Sequence, residues 1–220
     1  MYIQTLGLKG NTEASTERRS TTGHLGQPVV PSDKFDRCSD KQRKEIRAAL
    51  VAALRSVNFA AAVLGSAYGR PDRITQRTKD LLKRHFRTVR KDDVLKIFRN
   101  IFRIGQALQK GLNISCMGYC GGSGWCGYAW ATQWFGGRGP ILICFDARPG
   151  KCSFTNLSLQ EQTATIIHEA AHRYVGIDDK AYIWENSTNS SRDYNKLTPR
   201  QSMDNADSYA LFCVELLPGP

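Results

Sequence analysis

Two histidines four residues apart are the residues of this sequence whose spacing most clearly supports chemistry. His168 and His172 enclose Glu169 in the pattern His-Glu-Ala-Ala-His. Residues four apart on an α-helix share one face, with Cβ atoms about 5–6 Å apart, so both imidazoles can bind one Zn²⁺ ion. Glu169 is turned about 100° from His168 and can reach a water molecule at the metal. Zinc acidifies such a water and a carboxylate accepts its proton, so the pattern predicts metal-assisted hydrolysis.

A catalytic zinc site also needs a third protein ligand and an open position. No histidine follows His172, so the third ligand must be a carboxylate, and the nearest downstream candidates are Asp178, Asp179 and Glu185. Either aspartate could instead cap the next helix, and Glu185 could be a solvated surface residue. These residue types alone leave the choice among the three carboxylates open.

One helix must carry the motif, and the flanking sequence predicts both of its ends. Ser158 followed three residues later by Glu161 is a capping box, and Gly176 favours the left-handed conformation that ends many helices. The arc beside the two histidines is apolar and is expected to be buried: Ala164, Ile167, Ala171, Tyr174 and Val175. The helix should therefore pack in the core with its ligand edge at a cleft.

The rest of the chain divides into a helical first half and a mixed second half. Apolar residues at helical spacing predict three helices, over about 40–65, 74–89 and 92–110. Residues 113–146 are rich in glycine with interspersed aromatic residues, which favours short strands, notably over 126–133 and 140–146. Thr198-Pro199 predicts the start of the last helix. The expected fold class is α+β, with a small β-sheet and a zinc-binding helix pair.

Length and composition predict one domain preceded by an arm. The chain has 220 residues, of which 41% are hydrophobic, so it can form a normal core. Residues 1–35 have few periodic apolar positions and are expected to form a flexible arm or linker, leaving 36–220 as the domain. No uninterrupted apolar stretch approaches the roughly 20 residues of a membrane span, and the first 30 residues lack the apolar core of a signal peptide.

The formal net charge of +11 suggests an anionic partner, but the charge is unevenly distributed. Residues 34–110 contain 20 Lys+Arg and 7 Asp+Glu, whereas residues 111–220 contain 8 and 10. The alternative hypothesis is a basic nucleic-acid-binding or nuclease-like protein without peptidase activity. Basic helical faces are usually only solvated, and no known nucleic-acid-binding motif is present, so nucleic acid is not the expected partner.

Seven cysteines favour disulfides over a metal cluster. Their spacing fits no zinc knuckle and no histidine lies near them: Cys38, Cys116, Cys120, Cys126, Cys144, Cys152 and Cys213. Disulfides persist in oxidising compartments, so the expected destination is extracellular or periplasmic. Because seven is odd, at least one thiol must stay unpaired or pair between molecules.

The order of three motifs resembles the aspzincin family, which comprises deuterolysin and the peptidyl-Lys metalloendopeptidases. The motifs are His-Glu-x-x-His, Gly-x-x-Asp-x-x-Tyr beginning at Gly176, and Asn-Ala-Asp-Ser-Tyr beginning at Asn205. The cysteine layout is also similar, and the resemblance covers roughly residues 36–217. Ile177 and Ile183 stand where the family usually has Thr and Gly.

The resemblance implies a zincin-like metallopeptidase fold and a role for each motif residue. Asp179 would be the third zinc ligand, beside His168 and His172, and Tyr182 would donate to the substrate carbonyl as it becomes an oxyanion. Asp207 would lie beside the pocket for the residue after the scissile bond and favour lysine or another basic side chain there. Cys38 would be joined to the 116–126 region, and Cys144 to another cysteine there.

The predicted function is therefore a zinc endopeptidase that acts on a protein or peptide substrate with one catalytic Zn²⁺. A zinc-bearing binding protein without turnover is disfavoured, because Glu169 would add nothing to a structural site. The preferred setting is a secreted bacterial effector or toxin, because cysteines suited to oxidation accompany the absence of a visible signal peptide. A secretion machine or an immunity protein would then be a partner. The alternative is a secreted peptidase cut from its precursor.

Overall fold

A computed structural model describes residues 33–67, 71–119, 127–128, 139–146, 148, 153–183 and 193–218. The α-helices in these ranges are α1 (Asp40–Ser66), α2 (Gln76–Phe86), α3 (Lys91–Lys110), α4 (Leu159–Ala170), α5 (Pro199–Ser202) and α6 (Ala206–Leu216). The strands are β1 (Lys34–Asp36), β2 (Asn113–Met117), β3 (Gly127–Tyr128) and β4 (Ile141–Cys144). The α+β class and the helical first half are as predicted.

Helix α1 lies at the centre of the core and packs against α3, α4 and α6. A capping box begins it: the Gln42 N–H donates to Ser39 Oγ, and the Ser39 N–H donates to Gln42 Oε1. Its buried face consists of apolar residues three or four apart, as an amphipathic helix requires: Ile46, Ala49, Leu50, Ala53, Leu54, Val57, Ala60 and Leu64.

By length and composition alone, α1 could also cross a membrane. This finding differs from the expectation that no segment of the chain would be apolar enough, although Arg47 and Arg55 interrupt the apolar sequence. A core helix of a soluble protein passes the same test, so the finding is weak evidence for a membrane span.

Helices α1 and α3 approach each other closely because one position of the contact has no side chain. A Cβ atom on Gly105 would lie 3.2 Å from Val57 Cγ1, which is tighter than nearly all real contacts. Farther along the pair, Phe98 packs on Gly65, so the two helices run in opposite directions. The predicted helices of the first half are confirmed, with α2 shorter at both ends than its pattern suggested.

The sheet has the strand order β1-β2-β4-β3, in which β1, β2 and β4 are parallel and β3 is antiparallel to β4. Ile114, Ile141 and Ile143 are fully buried, so the two central strands complete the core. Strand β1 includes Lys34 and Phe35, the last two residues of the predicted arm. Of the strand predicted over 126–133, only β3 falls within the described residues.

The catalytic-motif helix begins where the sequence predicts, but the last helix does not. Ser158 and Glu161 form the expected capping box of α4, which packs against α1 and α6. Thr198 does cap a helix, yet α5 lasts only four residues, and α6 begins separately after Asn205. The last helix therefore starts later than predicted, because the chain turns at residues 203–205 to pair Asn205 with Asp178 in a β-bridge.

A disulfide joins Cys38, just before α1, to Cys116 in β2. This pairing agrees with the one implied by the family resemblance. Cys144 is also disulfide-bonded, whereas buried Cys213 is a free thiol, as the odd cysteine count requires of at least one. Cys120, Cys126 and Cys152 lie outside the described residues.

Replacing both Cys38 and Cys116 by serine should destabilise the domain. The bridge spans 78 residues, and releasing a loop of that length should cost about 4 kcal/mol through the entropy of the unfolded chain. Urea unfolding measures the change, with Cys213→Ala as a control that removes a sulfur atom but no crosslink. A double variant that unfolds at the same urea concentration as the control would contradict this prediction.

Candidate metal centre

The two motif histidines lie side by side at the buried end of α4. Helix α4 continues after Ala170 as a π-helical segment, Ala171–Val175, and the side chains of His168 and His172 leave the same face across this junction. Their Nε2 atoms are 2.9 Å apart, and both residues are buried. A π-helical turn is uncommon and frequently marks a functional site. The sequence pattern predicted one regular helix up to Gly176.

A left-handed glycine turns the chain back toward the histidines. Gly176 has φ +76°, which favours glycine, and the His172 carbonyl accepts its N–H at 3.1 Å. Three residues later, Asp179 Oδ1 lies 3.3 Å from His168 Nε2 and 3.2 Å from His172 Nε2. Asp179 Oδ1 is buried and makes no hydrogen bond within the described residues, so it points between the two imidazoles.

These three atoms have the spacing of zinc ligands. Ligand atoms about 2.0–2.1 Å from a tetrahedral zinc ion lie about 3.3 Å from one another. The corresponding distances here are 2.9, 3.2 and 3.3 Å. Two imidazole nitrogens and one carboxylate oxygen also form a donor set typical of catalytic zinc sites. The residues therefore fit a zinc ion.

The charge around the histidines also favours a bound cation. Three carboxylates, those of Glu169, Asp179 and Asp207, influence His168. Burial lowers the pKa of His168, but the hydrogen bond to Asp207 and the three negative charges raise it to about 9. Burial would raise the pKa of Asp179, yet its interactions with His172 and His168 hold it below its usual value. The carboxylates around the two imidazoles therefore favour positive charge at this position.

Each imidazole is oriented through its other nitrogen. His172 Nδ1 donates to the Ile177 carbonyl at 2.6 Å, and His168 Nδ1 donates to Asp207 Oδ1 at 2.8 Å. Both bonds direct Nε2 toward Asp179, as in the carboxylate–histidine–zinc arrangement of many zinc sites. Because a main-chain carbonyl holds His172, isoleucine at position 177 is compatible with this geometry.

Tyr182 and Glu169 flank the three candidate ligands. Tyr182 Oη donates to Asp179 Oδ2 at 2.7 Å, and its ring stacks on that of His168 with centroids 5.9 Å apart. Burial, then the hydrogen bond to Asp179, raises the pKa of Tyr182, so the phenol stays protonated and can donate. Glu169 is buried, and its negative charge contributes to raising the pKa of both His168 and Tyr182.

Asp207 lies beside His168, the first candidate ligand. Its carboxylate is buried, with Oδ1 on His168 Nδ1 and Oδ2 accepting the Ile183 N–H at 3.2 Å. Asp207 thus contacts a candidate ligand directly, and any contact with a substrate side chain would be additional to these two bonds.

Of the other two candidate carboxylates, Asp178 does not join the histidines. Asp178 is exposed and pairs with Lys180 Nζ at 2.6 Å, and Glu185 lies outside the described residues. Asn205, to which the sequence patterns assigned no role, is fully buried, and its Oδ1 accepts the Lys180 and Ala181 N–H groups in the segment that follows Asp179. Its place in the Asn-Ala-Asp-Ser-Tyr motif was the only signal for it.

Comparisons with known proteins bear on the family and the fold of this chain. A family model described as aspzincin, lysine-specific metallo-endopeptidase, matches residues 73–214. Among solved structures, a zinc peptidase from Grifola frondosa aligns with a TM-score of 0.57 and 19% sequence identity, covering 81% of this chain and 98% of its own. At that identity the likeness shows a shared fold. No curated protein matches this chain.

Replacing Asp207 by asparagine should weaken zinc binding about 10- to 100-fold, the usual effect of losing the carboxylate that orients a metal-binding histidine. Competition with a chromophoric chelator measures the affinity. Asp204→Asn is the control, because the Asp204 side chain is half exposed and pairs with Lys180 instead of a histidine. Equal zinc affinity of Asp207→Asn and wild type would show that Asp207 does not orient His168.

Proposed function

The chain belongs to the aspzincin family of zinc metalloendopeptidases, and on this premise we propose that His168, His172 and Asp179 hold one catalytic Zn²⁺. We assign the endopeptidase activity to residues 36–220, with a protein or peptide as substrate. The convergence of the three ligand atoms, each about 3 Å from the other two, is the observation that carries the proposal.

The side chains around the ligands supply the remaining chemistry. A zinc ion in this site would acidify water and polarise the scissile carbonyl. Glu169 accepts the proton of the attacking water and delivers a proton to the leaving amine. Tyr182 donates a hydrogen bond to the carbonyl oxygen as negative charge develops on it, for which its phenol must turn from Asp179 Oδ2. The raised pKa of Tyr182 supports this role, because the donor stays protonated.

Replacing Glu169 by glutamine should abolish cleavage but leave zinc binding intact. Loss of a general base lowers kcat by about 10²- to 10⁴-fold, and Glu169 is not one of the three ligands. Peptide cleavage and bound zinc are measured on the same sample. Glu161→Gln is the matched control: it makes the same exchange on the same helix, and glutamine preserves the capping box. Equal cleavage by Glu169→Gln and wild type would exclude the mechanism.

We further propose that the enzyme prefers lysine or another basic residue after the scissile bond. The description of the matching family model as lysine-specific supports this preference. The slightly acidic composition of residues 111–220, with 8 basic and 10 acidic residues, is also compatible with a basic substrate. Asp207 is the candidate determinant, because a carboxylate has about four acceptor sites and two hydrogen bonds leave capacity for an ammonium group.

Peptides that differ only by lysine or norleucine after the scissile bond test this preference. A charge-assisted hydrogen bond contributes about 1.5–3 kcal/mol, so kcat/KM should be about 10- to 100-fold higher for the lysine peptide. In Asp207→Asn, assayed at saturating zinc, the ratio should fall toward one. Equal kcat/KM for the two peptides in the wild type would contradict the lysine preference, and an unchanged ratio in the variant would remove Asp207 from it.

The disulfides support a location in an oxidising compartment, extracellular or periplasmic. Within that proposal, a secreted effector or toxin with a secretion-machine or immunity-protein partner remains a prediction from the sequence. The basic composition of residues 34–110 belongs to α1, α2, α3 and their connections, which do not carry the motif residues, and it is compatible with docking on an anionic surface.

A further inference from the structure

Asn205 lies immediately before α6 and contacts three residues around Asp179, namely Asp178, Lys180 and Ala181. We propose that Asn205 is a positioning residue for the metal centre: its side-chain amide fixes the irregular segment of residues 178–183, which carries Asp179 and Tyr182. This inference rests on the proposed function, because it assumes that Asp179 is a zinc ligand.

The Asn205 side chain is fully buried and all its polar atoms have partners. Its Oδ1 accepts two main-chain hydrogen bonds, from the Lys180 N–H at 2.8 Å and from the Ala181 N–H at 3.1 Å. Its Nδ2 donates to Ser208 Oγ at 3.2 Å, and Ser208 is fully buried too. Water does not reach Asn205 or Ser208, so breaking these bonds would leave buried polar groups unsatisfied.

The main chain attaches the same segment on the other side of Asp179. Asp178 and Asn205 form a β-bridge, and the Ala206 N–H donates to the Asp178 carbonyl at 3.0 Å. Asp179 therefore lies between two anchored residues, with the Asp178 carbonyl on one side and the Lys180 N–H on the other. The hydrogen-bond partners of these two groups are Ala206 and Asn205, which are adjacent in the chain.

The C-terminal end of the segment is hydrogen-bonded to α6. The Ile183 N–H donates to Asp207 Oδ2 at 3.2 Å, while Asp207 Oδ1 holds His168. Tyr182 lies between this anchor and the Ala181 N–H. Asn205 and Asp207 thus bracket both functional side chains, and Asp207 couples the same helix end to a candidate ligand on α4.

This arrangement makes Asp179 more dependent on tertiary contacts than the histidines are. His168 lies in α4 and His172 in its π-helical continuation, where main-chain hydrogen bonds within the helix fix the backbone. Asp179 lies in a segment outside the helices and strands. Loss of the Asn205 amide should therefore displace Asp179 and leave the histidine pair in place. A residue that served stability alone would not alter metal binding selectively.

Zinc affinity of the full chain, measured by chelator competition, tests the inference. Asn205→Leu has a similar size but cannot accept the two N–H bonds, and it should bind zinc about 10- to 100-fold more weakly than wild type. Asn205→Asp keeps the acceptor oxygens, and the Ser208 hydroxyl can turn to donate to it, so its affinity should stay within about threefold. The visible absorption of the Co²⁺-loaded protein should change in the leucine variant alone.

Ser202→Ala is the matched control for a general loss of stability. Ser202 is also fully buried, and its hydroxyl donates to the Phe86 carbonyl at 2.9 Å, away from the Asp179 segment. Its zinc affinity should equal that of wild type. If Asn205→Leu does not yield folded protein, Asn205→Ala replaces it and is judged by the same two results.

Two results would overturn the inference: wild-type zinc affinity in folded Asn205→Leu, or an equal loss of affinity in Ser202→Ala. Asp179→Asn separates this failure from a failure of the proposed function. If wild type binds no zinc, or if Asp179→Asn binds it as tightly as wild type does, the zinc site itself is wrong. If Asp179→Asn binds weakly and Asn205→Leu binds normally, only the role of Asn205 is wrong.

Discussion

The return of Asp179 to the two histidines is the constraint on which the candidate site depends. Two of the three ligand atoms come from one helix and its continuation, but the third must come back within seven residues of His172. The left-handed Gly176 makes this reversal with φ +76°. An L-residue with a side chain would be strained at this φ. The carbonyl of Ile177, the next residue, accepts the hydrogen bond from His172 Nδ1.

Helix α6 supports this centre from the opposite side. Asn205, immediately before this helix, binds residues 180 and 181, and Asp207 in its first turn binds the His168 ring. The break between α5 and α6 is part of the same arrangement, because a continuous helix would remove the β-bridge between Asp178 and Asn205. Supporting hydrogen bonds of this kind orient ligands and raise their basicity in metal sites. The irregular backbone at residues 203–205 therefore helps to position the segment that carries Asp179.

Local patterns predicted much of the fold and the histidine pair, whereas long-range contacts set the rest. The capping box at Ser158 and the helical spacing in α1 and α4 depend only on neighbouring residues, so the sequence contains them in full. The choice of Asp179 over Asp178 came from a family resemblance and not from spacing. The contacts of Asn205 and Asp207 join residues 24 to 39 positions apart, and no local pattern encodes such contacts.

The position of a bound metal ion tests the central claim most directly. Crystals of the zinc-loaded chain would be measured by anomalous diffraction at the zinc absorption edge. We expect one peak about 2.0–2.2 Å from His168 Nε2, His172 Nε2 and a carboxylate oxygen of Asp179. A peak coordinated by Asp178 or Glu185 in place of Asp179, or one away from the histidine pair, would contradict the account.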